Sequence, residues 1–125
     1  MKRIVQGDTL SLADGDGTVA AQVYEKLEEN GICVVSLSGS INNEGAYDVG
    51  DELMALASAG KGIVLDMSGL TYLSNALAEL LVRMQIRMEQ TEYETMLIRN
   101  MPAEIYQMLK KQGCITSLDY ELKEG

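Results

Sequence analysis

The sequence predicts an α/β domain: a mixed, mainly parallel sheet with helices packed on it, in the order β-β-α-β-α-β-α. Three observations lead there. Short β-branched apolar runs at 32–37, 63–67 and 95–99 alternate with segments whose apolar residues recur every three or four positions, at 44–59, 76–90 and from 102. Asn30–Gly31 lies between two strand-like runs, a hairpin signal because both residue types tolerate positive φ. The chain has 125 residues, the size of one domain. Strands alternating with helices imply right-handed crossovers and parallel neighbours after the hairpin.

Residues 1–17 are weakly patterned and read as an N-terminal arm or extra strand, with Ile4, Val5, Leu10 and Leu12 as its apolar positions. Residues 18–125 form the domain proper. Ala13–Gly17 is a turn by composition. Asp14, Asp16, Thr18 and Glu25 fall at positions one, three, five and twelve of a calcium loop. Val19 occupies the sixth, where that loop needs Gly, so a plain solvated turn is the reading. Thr18–Leu27 alternates in part, with Val19, Ala21 and Val23 on one face.

Ile32–Leu37 is apolar almost throughout, which suits a central strand covered on both faces. Ser38–Asn43 reads as a polar loop. The helix over 44–59 has an apolar stripe of Ala46, Val49, Leu53 and Leu56, with Asn43 as N-cap and Gly60 as its stop. Gly50 costs that helix about 1 kcal/mol and suits close packing against a strand. Ile63–Met67 is the next strand, followed by a polar turn. The second helix, 76–90, turns Leu77, Leu80, Leu81, Met84 and Met88 to one side. Thr95–Arg99 is a short strand. Pro102 opens a third helix with Ile105, Met108 and Leu109 inward, Lys110 and Lys111 in its last turn and Gly113 after it. Leu118–Leu122 reads as an edge strand.

Charge and composition narrow the function. With 19 acidic and 10 basic residues the net charge is −9, which disfavours nucleic-acid binding because phosphate is repelled. No apolar run is long enough to span a bilayer, and no h-region follows Met1–Lys2–Arg3, so neither membrane nor signal peptide is expected. The reading is cytoplasmic, with Cys33 and Cys114 reduced. The absence of His removes imidazole acid–base and metal chemistry. With no phosphate-binding glycine loop and no acid–nucleophile pair, no cofactor and no catalytic residue are expected. The eight Met read as core filler.

Leu65–Leu73 (LDMSGLTYL) resembles the STAS domain family, which includes bacterial anti-sigma factor antagonists, stressosome subunits and the cytoplasmic tails of sulfate transporters. Its members carry an apolar strand ending in Leu-Asp-hydrophobic-Ser/Thr, then a turn and an aromatic–hydrophobic pair. Val34–Asn42 (VVSLSGSIN) is similar to the family's strand followed by Gly-Glu-Leu/Ile-Asp. The resemblance continues through the Leu-rich helix, the run at 95–100 (TMLIRN) and the helix containing Ile105, covering residues 19–120.

The departures carry as much information. After the aromatic–hydrophobic pair the family typically has Asp-Ser/Thr-Ser-Gly, whose first hydroxyl is phosphorylated by a partner kinase that is itself the anti-sigma factor. Aligned without a gap, Ser74 stands at the Asp, Asn75 at the phosphoacceptor, Ala76 at the second Ser and Leu77 at the Gly; Ser40 and Asn42 replace acidic residues upstream. Asn75 cannot accept phosphate, and Ser74 becomes an acceptor only through a shifted register.

The resemblance implies a non-enzymatic regulatory module that docks an anti-sigma factor kinase or another STAS protein. The contacts would be the turn at Ser74–Asn75 and the helix 76–90, through Asn42, Ser74, Asn75, Ala76, Glu79 and Arg83, without the usual phosphoswitch. It would be a monomer or homodimer. A small-ligand or lipid-binding domain on the same fold is the alternative. By residue type, Ser74 and Asn75 are also helix N-caps, and Asp66 is an acceptor for loop N–H groups.

Overall fold

The computed structural model describes residues 2–28, 30–90 and 96–124. Glu29 of the expected hairpin and Thr95 of the expected third run lie outside these. Seven strands form one sheet: β1 (Lys2–Gln6), β2 (Thr9–Ala13), β3 (Val19–Leu27), β4 (Ile32–Ile41), β5 (Gly62–Leu73), β6 (Met96–Met101) and β7 (Tyr120–Leu122). Their order across the sheet is their order in the chain. Neighbours from β1 to β4 pair antiparallel and those from β4 to β7 parallel, so the sheet is mixed.

Helices α1 (Asn43–Ser58), α2 (Asn75–Glu89) and α3 (Ala103–Lys111) make the crossovers between the parallel strands. Because the strand order never reverses, right-handed crossovers place all three on one face. Burial agrees. Cys33, Val35, Leu37, Ile63, Leu65, Met67, Met96 and Ile98 alternate along their strands and join Val49, Leu53, Leu77, Leu81, Ile105 and Leu109 in one core. Both thiols are buried and free, and burial pushes both above the ordinary thiol value, so neither is a reactive thiolate.

Among the described residues nothing covers the opposite face of the sheet. Val34, Val64 and Leu97 stand in register there, only half-buried, and with Ile32 and Arg99 most of them line an open depression. The expectation of a central strand covered on both faces is therefore corrected. The apolar residues on the outer side of Ile32–Leu37 mimicked a doubly buried strand.

Other boundaries shift as well. Residues 2–13 form two strands, not one, and Leu10 and Leu12 of β2 enter the core. Arg3 of β1 reaches across to Asp48 at 3.4 Å and Glu52 at 3.0 Å on α1. Ser38–Ile41 and Ser68–Leu73 continue β4 and β5 where a loop and a turn were expected. Their pairing is irregular at Ser36/Ser38 and Gly39/Ser40. Gly39 has φ +82, and a Cβ there would meet the Ala20 carbonyl oxygen at 2.2 Å, so β3 passes too close for any side chain. In the β3–β4 hairpin Gly31 of the Asn-Gly pair takes positive φ.

Gly50 does admit a close neighbour, but it is Leu80 of α2 rather than a strand. The α1 N-cap is Asn42 rather than Asn43, α2 runs one residue earlier than 76–90, and Pro102 is the N-cap of α3 rather than its first residue.

Candidate functional site

The parallel strands β4 and β5 end side by side, with Ile41 opposite Leu73. Each turns at once into a helix, so two helix N-termini open at the same edge. Asn42 caps α1: its Oδ1 accepts from the Gly45 N–H at 2.9 Å. Ser74 caps α2: its Oγ accepts from the Leu77 N–H at 3.3 Å. The two caps are tied together, because the Ser74 N–H donates to the Ile41 carbonyl at 3.0 Å. Asp66 sits behind them in β5, accepting from the Ser68 N–H at 2.9 Å and from Asn100 Nδ2 at 3.4 Å. Asn100 holds φ 57, a left-handed conformation that Asn tolerates better than most residues.

Exposure divides the expected site residues. Ser74 is 3% exposed. Asn75, at the first helical position, and Asn42 face solvent, and Ala76 is half-buried. Glu79 and Arg83 follow on the outer side of α2, 3.8 Å apart and both largely solvated. A pair so exposed contributes little beyond modest helix support.

Two tyrosines flank this edge, Tyr72 of the aromatic–hydrophobic pair and Tyr47, which the sequence did not single out. Tyr47 on α1 is 71% exposed and Tyr72, ending β5, is 43% exposed. Large rings left in water beside polar caps are common in contact surfaces. A lone Tyr carries no periodic signal, so Tyr47 did not stand out in the sequence. Among the described residues no cluster of His, Cys, Asp and Glu could hold a metal ion. No described helix is long and apolar enough to cross a membrane.

Comparison with known proteins decides the family. The family described as Mlab, STAS domain, matches residues 25–118. This chain belongs to the STAS domain family. Solved structures share its fold. An anti-sigma factor antagonist from Mycobacterium paratuberculosis superposes with a TM-score of 0.69 at 15% identity, over 87% of this chain and 89% of that one. The Bacillus cell fate determinant SpoIIAA, in its phosphorylated form, gives 0.62 at 10% identity, over 79% and 90%. The murine anion transporter Slc26a9, in its inward-facing state, gives 0.58 at 15% identity, over 75% of this chain and 16% of the transporter. No curated protein sequence matches the chain significantly.

The STAS match begins at Glu25, within β3. The hairpin β1–β2 precedes the matched region and extends the STAS sheet at its antiparallel edge.

Proposed function

We propose that this STAS domain is a non-enzymatic regulatory module of the anti-sigma factor antagonist type. It docks a protein partner, an anti-sigma factor or another STAS protein, through the turn at Ser74–Asn75 and the outer face of α2. Asn42, Asn75, Ala76, Glu79 and Arg83 supply the contacts, with Tyr47 and Tyr72 beside them. Its place of work is the cytoplasm.

The observation that carries this reading is the state of the turn's one hydroxyl. Ser74 is buried, and its Oγ is occupied by the helix cap. Its neighbour Asn75 is exposed but cannot be phosphorylated. A phosphate would add about −1.5 to −2 charge at this edge and repel a docked surface. Asn75 instead presents a constant neutral group, so docking here is not gated by serine phosphorylation.

Two measurements test the reading. Incubation with ATP and a serine-kinase anti-sigma factor should leave the intact mass unchanged; one added phosphate on Ser74 would overturn the loss of the switch. Pull-down from the native cytosol should recover partners with the wild type that Asn75→Glu loses. An identical set of partners would remove the turn from the docking surface.

A further inference from the structure

Between α1 and α2 lies a groove of about 310 Å³, lined by Met54, Leu80, Arg83, Met84 and Arg87. Its size falls within the range of small-ligand clefts, and like them it is mostly apolar with few polar groups. One end is closed where α1 and α2 touch: a Cβ at Gly50 would stand 2.4 Å from Leu80 Cδ1, so the helices meet there without a gap. Met54 lines the open part and the buried Met84 forms the floor beneath it, and their thioethers adapt to varied apolar shapes.

The polar groups are both cationic, in a chain of net charge −9. Arg83 and Arg87 are four residues apart and share a helix face. Among the described residues Arg83 is paired only with the solvated Glu79, at 3.8 Å. Arg87 Nη1 points across the groove to Met54 Sδ at 3.6 Å, and a thioether is a weak acceptor. Among the described residues no carboxylate is paired with Arg87. A guanidinium is shaped to take a carboxylate in two parallel hydrogen bonds.

We infer that this groove binds a small amphiphilic carboxylate, an aliphatic acid of medium chain length. The apolar chain lies on Met54, Leu80 and Met84, and the carboxylate sits between Arg83 and Arg87. An unsubstituted hydrocarbon would meet the same floor but leave both guanidiniums to water. The inference shares Arg83 with the proposed docking surface but does not depend on the Ser74–Asn75 turn, and Arg87 tests it separately.

The test is a titration of the full chain, labelled at its Met methyls, with decanoate below its micelle-forming concentration, followed by NMR. The methyls of Met54 and Met84 should shift saturably with a micromolar midpoint. Equimolar 1-decanol should produce no saturable shift. Arg87→Gln and Arg83→Gln, exposed positions whose change leaves the fold intact, should each weaken decanoate binding by about tenfold, the scale of one charge-assisted hydrogen bond. Any of three results would overturn the inference. These are a non-saturating response, an equal response to decanol, or shifts centred on the core residues Met67 and Met101 in place of Met54 and Met84. Decanoate affinity unchanged in both variants would also remove the carboxylate site.

Discussion

The Ser74 backbone N–H donates to the Ile41 carbonyl at 3.0 Å, joining two parallel strands at the point where each becomes a helix. That bond sets Asn42 and Ser74 side by side as caps. The Ser74 side chain is buried at this junction, so its hydroxyl serves the fold. Ser74→Ala should lower stability by about 1 kcal/mol, the usual worth of an N-cap, read as a reduced urea midpoint with unchanged slope. An unchanged midpoint would mean the hydroxyl is free for another role.

Asn75→Glu should fold as well as the wild type. A carboxylate at the first helical position gains about 0.3–1 kcal/mol from the helix dipole. The new like-charge neighbour Glu79, four residues on, removes about 0.2–0.5 kcal/mol. The midpoint should therefore stay within about 0.5 kcal/mol of the wild type. A larger loss would show that Asn75 has a structural duty and would spoil the variant as a probe of docking.

At Gly39 the backbone of β3 comes too close to β4 to admit a side chain. The glycine's φ of +82 and the Ala20 carbonyl at 2.2 Å from any added Cβ both exclude one. Gly39→Ala should cost more than about 2 kcal/mol, because backbone rather than a flexible side chain must move. A loss under about 0.5 kcal/mol would show that the strands separate freely there.

The three helices and their alternation with strands were legible in the sequence, because periodicity marks them directly, whereas the caps of α1 and α3 each lie one residue from where Asn43 and Pro102 put them. The carboxyl ends of β4 and β5 were not. Ser38–Gly39–Ser40 and Ser68–Gly69 have loop composition, yet they continue strands whose outer face is open to water. Only the approach of Ala20, distant in sequence, explains Gly39. The pairing of β1 with β2 was faint because β1 is almost wholly exposed. At the site, Ser74 and Asn75 were readable from type and alignment. The burial of Ser74 and the exposure of Tyr47 and Tyr72 depend on how two strand ends and two helices meet.

Glu25 provides a pH signature. Its Oε1 is buried without a hydrogen-bond partner, at a small cavity shared with Asp8 and Glu52. Burial, then the hydrogen bond and charge of Glu52 and the charge of Asp8, push its carboxyl up to about 7 from the ordinary 4.5. Between those values the folded chain holds a proton that the unfolded chain has released, so stability falls as pH rises through that window. The group is partly solvated, and screening leaves about 1 kcal/mol of the effect. Glu25→Gln should abolish this decline and exceed the wild type in stability at pH 8. Parallel stability–pH curves for the two proteins would contradict the assignment.

Gln85 of α2 is the buried polar residue that holds the far edge of the sheet. Its Nε2 donates to Asp119 Oδ2 at 3.3 Å and Glu89 Oε1 at 3.4 Å, and its Oε1 accepts from the Asp119 N–H at 3.5 Å. Asp119 in turn accepts from the Ile98 N–H at 3.0 Å through its carbonyl, just before β7. Gln85→Leu keeps the volume and the apolar company of Leu81, Met84 and Met88, but strips Asp119 of its donor and acceptor. An orphaned buried group costs about 1–3 kcal/mol, and because Asp119 is open to water the lower end applies. The expected result is a loss of about 1 kcal/mol, with faster amide exchange at Asp119 and Ile98 than at Leu65 in the sheet centre. Uniform exchange across these positions would show that α2 does not anchor β7 through this side chain.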